Sequence, residues 1–295
     1  MYAIETKSLT KSYGKSRGIV DVNLKVKEGE IFGFVGPNGA GKSTTIRTLL
    51  NFIFPTSGEG KILGKDIVKK SSEIKKILGY VPSEVKFYDD IKVKDIIKYS
   101  SSFYNSCSKE EITRLCENLE VEVEKKMGEL SLGNKKKVAI VQALIHNPKL
   151  LILDEPTNGL DPLIQKKLFE ILLEQNKKGT TVFLSSHNLV EVENFCHRVA
   201  VIKEGRIIDT IEIDKLTKNL GLKVTIEAKG IKREDIESLG GEVISLKGTE
   251  FIFNYSNGAD DLIKALSKFY IDKILIHEQS LEDTFMNYYE NEGGK

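Results

Sequence analysis

Cysteine is scarce in this chain. Cys107, Cys116 and Cys196 are odd in number and fall at no metal-ligand spacing, so neither a disulfide framework nor a zinc cluster organises the fold. They fit single thiols in a reducing cytosol, and no chemistry is assigned to them. Long hydrophobic runs are missing too. Nothing approaches the roughly 18 consecutive apolar residues of a membrane span. The opening Met1-Tyr2-Ala3-Ile4-Glu5 lacks the basic start and apolar centre of a signal peptide. The expectation is a cytoplasmic chain that meets a membrane only through a partner. No sign of charge dominates: 44 Lys and Arg against 43 Asp and Glu leave +1, a field too weak to gather nucleic acid or anionic lipid. Internal repeats and low-complexity segments are absent. What remains is an ordinary composition, 40% hydrophobic and 29% charged, with 295 residues allowing a main domain and an appendage.

The most informative stretch is Gly36-Pro37-Asn38-Gly39-Ala40-Gly41-Lys42-Ser43-Thr44, set between an apolar strand-like segment (30–35) and a helix-like one (44–52). A nucleoside triphosphate needs many N–H donors converging on a small anion. Gly36, Gly39 and Gly41 let the chain fold tightly enough to supply them. Lys42 then reaches the β and γ phosphates, Ser43 offers a hydroxyl to Mg²⁺, and the following helix points its positive end at the anion. The pattern predicts ATP or GTP binding.

Along the chain, Val20, Val22, Leu24 and Val26 alternate with polar residues and predict one half-exposed strand. A helical pattern runs from Val93 to about Asn118, with Ile96, Ile97, Ser100 and Phe103 on one face. Strand-like 78–81, 150–153 and 181–184 alternate with helix-like 131–146 and 162–175, which implies a mainly parallel sheet covered on both faces. The hairpin at Glu204-Gly205 closes a first domain (1–213), and polar residues 214–219 lead to a second (220–295). There the order strand, helix, two strands, helix, strand resembles a small α+β ferredoxin-like split βαβ unit. Leu262, Ile263, Leu266 and Phe269 share a helix face. A last helix places Leu281, Phe285, Tyr288 and Tyr289 on one stripe behind a Ser280/Asp283 capping box.

Leu150 to Leu153 end in Asp154-Glu155, and two acids at the end of a buried strand are costly unless a cation or a reaction uses them. Asp154 is a candidate Mg²⁺ holder and Glu155 a candidate base for the water that attacks the γ phosphate. His187 follows another buried strand and can reach the same phosphate.

Leu130-Ser131-Leu132-Gly133-Asn134 resembles the signature of ABC ATPases, usually written LSGGQ. The rest of that family's set stands around it in order, over roughly residues 2 to 210: Tyr13 where adenine is stacked, GPNGAGKST, LILDEP, Asn158-Gly159-Leu160-Asp161 as the D-loop and His187 as the switch histidine. The resemblance implies an ABC-type P-loop ATPase fold, with a mainly parallel sheet, an antiparallel β-subdomain and a helical subdomain. It also implies ATP and Mg²⁺ as ligands, and a dimer in which each ATP lies between one phosphate loop and the partner's signature. Ser131, Leu132, Gly133 and Asn134 would then serve the opposing nucleotide, the helix N-terminus presenting about +0.5 of a charge to it.

Three departures stand out. Ser83, followed by Glu84, occupies the place of a Gln that touches Mg²⁺ and couples to the transport subunit; Leu132 replaces a Gly and Asn134 a Gln. Lys135, Lys136 and Lys137, just past the signature, read as a solvated face. The closing Ser280-Leu281-Glu282-Asp283-Thr284-Phe285 looks like the extension of bacterial drug and peptide exporter ATPases. The resemblance thus implies the ATPase subunit of an exporter at the inner face of the membrane, working with separately encoded integral-membrane subunits. An importer ATPase and a regulatory or sensor ATPase are the alternatives. A translation factor would carry two cassettes, and a chromosome-organising ATPase a long coiled coil before the signature.

Overall fold

A computed structural model describes residues 1–14, 16–104, 107–215 and 221–279. The chain divides into two compact units, Met1–Glu212 and Ile213–Lys295, so the boundary falls one residue before the expected end of the first domain.

The first unit holds two sheets. β1 (Tyr2–Tyr13) pairs antiparallel with β2 (Ser16–Val22), β3 (Lys25–Lys27) and β5 (Ser57–Ile62), and β5 continues to β6 (Lys65–Asp66). The single strand expected over 20–26 is two strands, interrupted at Asn23 and Leu24, where side chains replace ladder bonds: the Ser8 N–H donates to Asn23 Oδ1 at 2.9 Å and the Leu24 N–H to Thr6 Oγ1 at 2.8 Å. The larger sheet has the order β11-β10-β4-β9-β8-β7. Its strands are β4 (Ile31–Val35), β7 (Leu78–Val81), β8 (Leu150–Asp154), β9 (Thr181–Ser186), β10 (Arg198–Lys203) and β11 (Arg206–Glu212). All run parallel except β11. The strands β4, β8 and β9 are buried along their whole length, which is why they read as continuous apolar runs rather than alternating ones. Phe183 stacks on Phe32 with centroids 5.9 Å apart and meets Phe34 at 5.4 Å, tying β9 to β4.

This strand order places the site. Because β9 lies between β4 and β8, Val35 pairs with Ser186 and Asp154 with Ser185, so three C-terminal strand ends sit side by side. Around the sheet are α1 (Lys42–Leu49), α2 (Ser71–Lys75), α3 (Val93–Ser101), α4 (Lys109–Asn118), α5 (Leu132–Leu144), α6 (Pro162–Lys177) and α7 (Leu189–Phe195). The helical pattern expected from Val93 to about Asn118 is carried by two helices, α3 and α4. Ser108 starts the second by accepting a hydrogen bond from the Glu111 N–H at 3.3 Å. Phe103 therefore lies beyond the end of α3 and is exposed instead of sharing the buried face of Ile97.

The second unit is a four-stranded antiparallel sheet of order β13-β14-β12-β15, from β12 (Leu222–Ala228), β13 (Gly241–Lys247), β14 (Glu250–Tyr255) and β15 (Ile271–Glu278). The helices α8 (Arg233–Ser238) and α9 (Ala259–Leu266) connect them in the split βαβ order. Val224, Ile226, Phe251, Phe253, Ile236 and Leu262 form its core. Ile263, expected on the buried face, is exposed, because α9 turns only Leu262 and Leu266 inward. The expected final helix lies outside the described residues.

Candidate nucleotide site

The phosphate loop joins β4 to α1. Gly41 occupies the N-cap of α1 at φ 111°, a conformation that residues with a side chain rarely adopt, and from there α1 starts at Lys42. The loop borders a cavity of about 410 Å³ lined by residues 37–39 and 41–44 together with Gly18 and Glu155. Buried Lys42 donates to the carbonyls of Gly36 at 2.7 Å and Pro37 at 3.3 Å, and its ammonium lies 3.4 Å from Glu155 Oε1.

Glu155 is the centre of the cluster. Its other carboxylate oxygen accepts from Asn158 Nδ2 at 2.6 Å and lies 3.5 Å from His187 Nδ1. Three residues from separate segments thus converge on one carboxylate that is 17% exposed, with the His187 side chain half exposed beside it. Backbone bonds set this aim: the Glu155 N–H donates to both O and Oγ of Ser185, while its φ of 48° turns the side chain out of the strand register.

Asp154 is 1% exposed. One of its oxygens accepts from Ser185 Oγ at 2.6 Å, and the other, Oδ2, is buried without a hydrogen-bond partner. A buried carboxylate oxygen with no donor carries an uncompensated desolvation cost and suits a hard cation. Among the described residues no group of three or more His, Cys, Asp and Glu could hold a metal by itself. The donors therefore fit a cation such as Mg²⁺ that takes most of its ligands from phosphate and water. Burial and the Asp154 charge together push the neighbouring Tyr80 hydroxyl up to about 12, so it stays a neutral phenol.

The structure does not bring every expected residue to this cavity. Tyr13 ends β1 half exposed, with the Lys11 ammonium 5.4 Å over its ring, and is not part of the cavity wall. The signature residues are likewise outside it. Ser131 caps its own helix, accepting from the Asn134 N–H at 3.3 Å, and Leu132 is 61% exposed. Gly133 packs so closely on the D-loop that a Cβ there would come within 2.2 Å of the Gly159 carbonyl oxygen. Asp161 caps α6 through the Ile164 N–H at 3.0 Å.

The lysine run needs correction. Only Lys135 reaches outward, 3.3 Å from Asp89 Oδ1, whereas Lys136 and Lys137 are buried. Helix α5 turns this stripe inward, and the long stems pack while the Lys136 ammonium finds backbone acceptors. Burial pulls the Lys136 ammonium below its ordinary value, opposed by the charges of Asp154 and Glu155. Sequence reasoning missed Lys136, Ser185 and the contact from Asn158. Only the last left a local signal, three residues after Glu155.

The ABC transporter family profile matches residues 19–158. The bacitracin transport ATP-binding protein of Bacillus licheniformis is 35% identical over 293 residues, covering 96% of each chain. The Nod factor export ATP-binding protein I of Rhizobium etli is 32% identical over 97% of this chain and 93% of its own. Among solved structures, an ATP-binding subunit of an ABC transporter superposes with a TM-score of 0.67 at 30% identity, covering 73% of this chain and 92% of its own. A dimeric ATP-binding cassette in a post-hydrolysis state, bound to ADP and Pi, gives 0.65 at 25% identity over 71% and 98%. With a relative matched along nearly its full length and a phosphate loop whose lysine lies beside the strand-end Glu155, this chain belongs to the ATP-binding subunits of ABC transporters, a family of ATPases.

Proposed function

We propose that Glu155 is the base of an ATP hydrolysis reaction that this chain performs as a homodimer, each ATP held between one phosphate loop and the partner's signature segment. The observation that carries this reading is the convergence of Lys42, Asn158 and His187 on the Glu155 carboxylate beside the cavity. Residues 36–44 hold the phosphates, Lys42 neutralises their charge, and Tyr13 offers a ring for the base. Ser43 and Asp154 would hold Mg²⁺, with the shorter Ser83 meeting it through water; the ion supplies charge neutralisation on the phosphates. Glu155 takes a proton from the water as its oxygen bonds to the γ phosphorus. The bond from that phosphorus to the bridging oxygen breaks, and ADP leaves with the electron pair. His187 contacts the γ phosphate and reports its loss.

The exposed signature segment supports the dimer: a helix N-terminus faces solvent with Leu132 and Ser131 uncovered. Among the described residues no helix is long and apolar enough to cross a membrane. Membership among the ATP-binding subunits of ABC transporters supports work with separate integral-membrane subunits. The loop from Ser83, with Glu84 as a charged contact, would meet those subunits at the inner membrane face. The names of the bacitracin and Nod factor relatives favour export over import.

Sedimentation of the Glu155→Gln protein with and without Mg-ATP tests the reading. Binding should persist, turnover should fall by about 10²-fold or more, and an ATP-held dimer should accumulate. A variant that hydrolyses at the wild-type rate, or stays monomeric with ATP bound, removes it.

A further inference from the structure

The ammonium of Lys136 belongs to none of the roles above. Its side chain is 1% exposed, and its Nζ donates to the carbonyls of Ser83 at 2.7 Å, Pro82 at 2.9 Å and Glu155 at 3.2 Å. An ammonium has three protons, and these three acceptors use all of them. None of the three is a carboxylate: the direct bonds are to backbone dipoles, and the Asp154 and Glu155 charges favour the ammonium without a direct hydrogen bond. A buried cation is costly, and losing any of the three carbonyls would leave one of its protons without an acceptor.

The three segments so joined are functionally distinct. Lys136 lies on α5, whose N-cap is the signature Ser131. Pro82 and Ser83 begin the loop after β7, and Glu155 is the peptide leaving β8. That last peptide is strained, with a φ of 48° at a residue that has a full side chain. Its N–H is pinned to Ser185 and its carbonyl to Lys136, and the carboxylate between these fixed ends faces Lys42, Asn158 and His187.

We propose that Lys136 is a positioning residue for hydrolysis, whose ammonium ties the Ser83 backbone and the left-handed Glu155 peptide to the signature helix and so aims the Glu155 carboxylate. This rests on the reading of Glu155 as the base. What the lysine grips at position 83 is the carbonyl and not the side chain. The loop therefore keeps a mechanical link to α5 although Ser83 is shorter than the amide it replaces. A shift of α5, when a partner engages the signature, reaches Glu155 and the Ser83 loop through one side chain.

The test is Lys136→Met, which keeps an unbranched stem and loses the donors, beside Lys136→Arg, which keeps the charge, both in the full chain. Steady-state Mg-ATP hydrolysis, binding of a fluorescent ATP analogue and thermal unfolding are measured on each. Loss of aim should lower kcat by about tenfold to 10²-fold in Lys136→Met. The analogue should bind within about threefold of wild type, since no phosphate contact is removed. Lys136→Arg should recover part of kcat. Wild-type kcat in a folded Lys136→Met protein overturns the proposal, as does an equal loss of binding and turnover. Failure of both variants to fold would assign the lysine to the fold and overturns it equally. Glu155→Gln measured alongside separates the two ideas: if it still turns over, the base assignment fails, and if it is inactive while Lys136→Met is normal, only the role of Lys136 fails.

Discussion

The phosphate-loop end and the signature segment of the first unit are built in opposite ways. At the first, Lys42 is buried, Asp154 is 1% exposed, and Glu155 is held by contacts from three separate segments. At the second, Leu132 is 61% exposed and Ser131 does no more within the chain than cap its own helix. One cluster is assembled by the fold of a single chain, and the other segment offers an exposed helix end. Preorganisation therefore belongs to the charged end, where misplacing a carboxylate is most costly, while the exposed signature end fits the proposed role of meeting a partner.

Lys42→Ala should break the assembled half most severely. It removes charge-assisted bonds of about 1.5–3 kcal/mol, so ATP should bind about 10- to 100-fold more weakly, as read by titration with a fluorescent analogue. Unchanged affinity would mean that residues 36–44 are not the phosphate site. A smaller and different effect is expected from Gly133→Ala, whose Cβ cannot fit 2.2 Å from the Gly159 carbonyl. The signature helix must shift, at about 1–3 kcal/mol of stability, visible as a lower Tm. Turnover should fall about tenfold while single-chain ATP binding stays near wild type; a matching loss of binding would show that the two half-sites are not separable. The smallest effect should come from ending the chain at Asp214. The described residues that line the cavity all belong to the first unit, so affinity is expected to change by less than about twofold. Loss of nucleotide binding in a truncated protein that remains folded by circular dichroism would place the second unit in the site.

The two ends also differ in how far they could be read. Residues 36–44 were legible because a phosphate loop is a contiguous device: glycine, lysine and hydroxyl act within one turn of chain, between a strand and a helix that local pattern reveals. The split βαβ unit was legible for the same reason, its strands and helices following a regular order in the chain. The breaks at Asn23 and Ser108 were not, since a side chain that takes over a backbone bond, or a helix cap, interrupts apolar periodicity without changing it. The burial of Lys136 and Lys137 was not legible because charge alone does not decide exposure; whether a lysine stem packs depends on what lies opposite it.

The sequence by itself determined that this chain binds a nucleoside triphosphate and which family it resembles, because those signals lie in short segments whose geometry is local. Only the tertiary structure decided that Lys42, Asn158, His187 and Glu155 form one cluster and that Lys136 grips three carbonyls. Most of those contacts cross segments far apart in the chain. They exist because β9 settles between β4 and β8 and because α5 turns a charged stripe inward, and strand order and helix rotation are set by packing that no local pattern records.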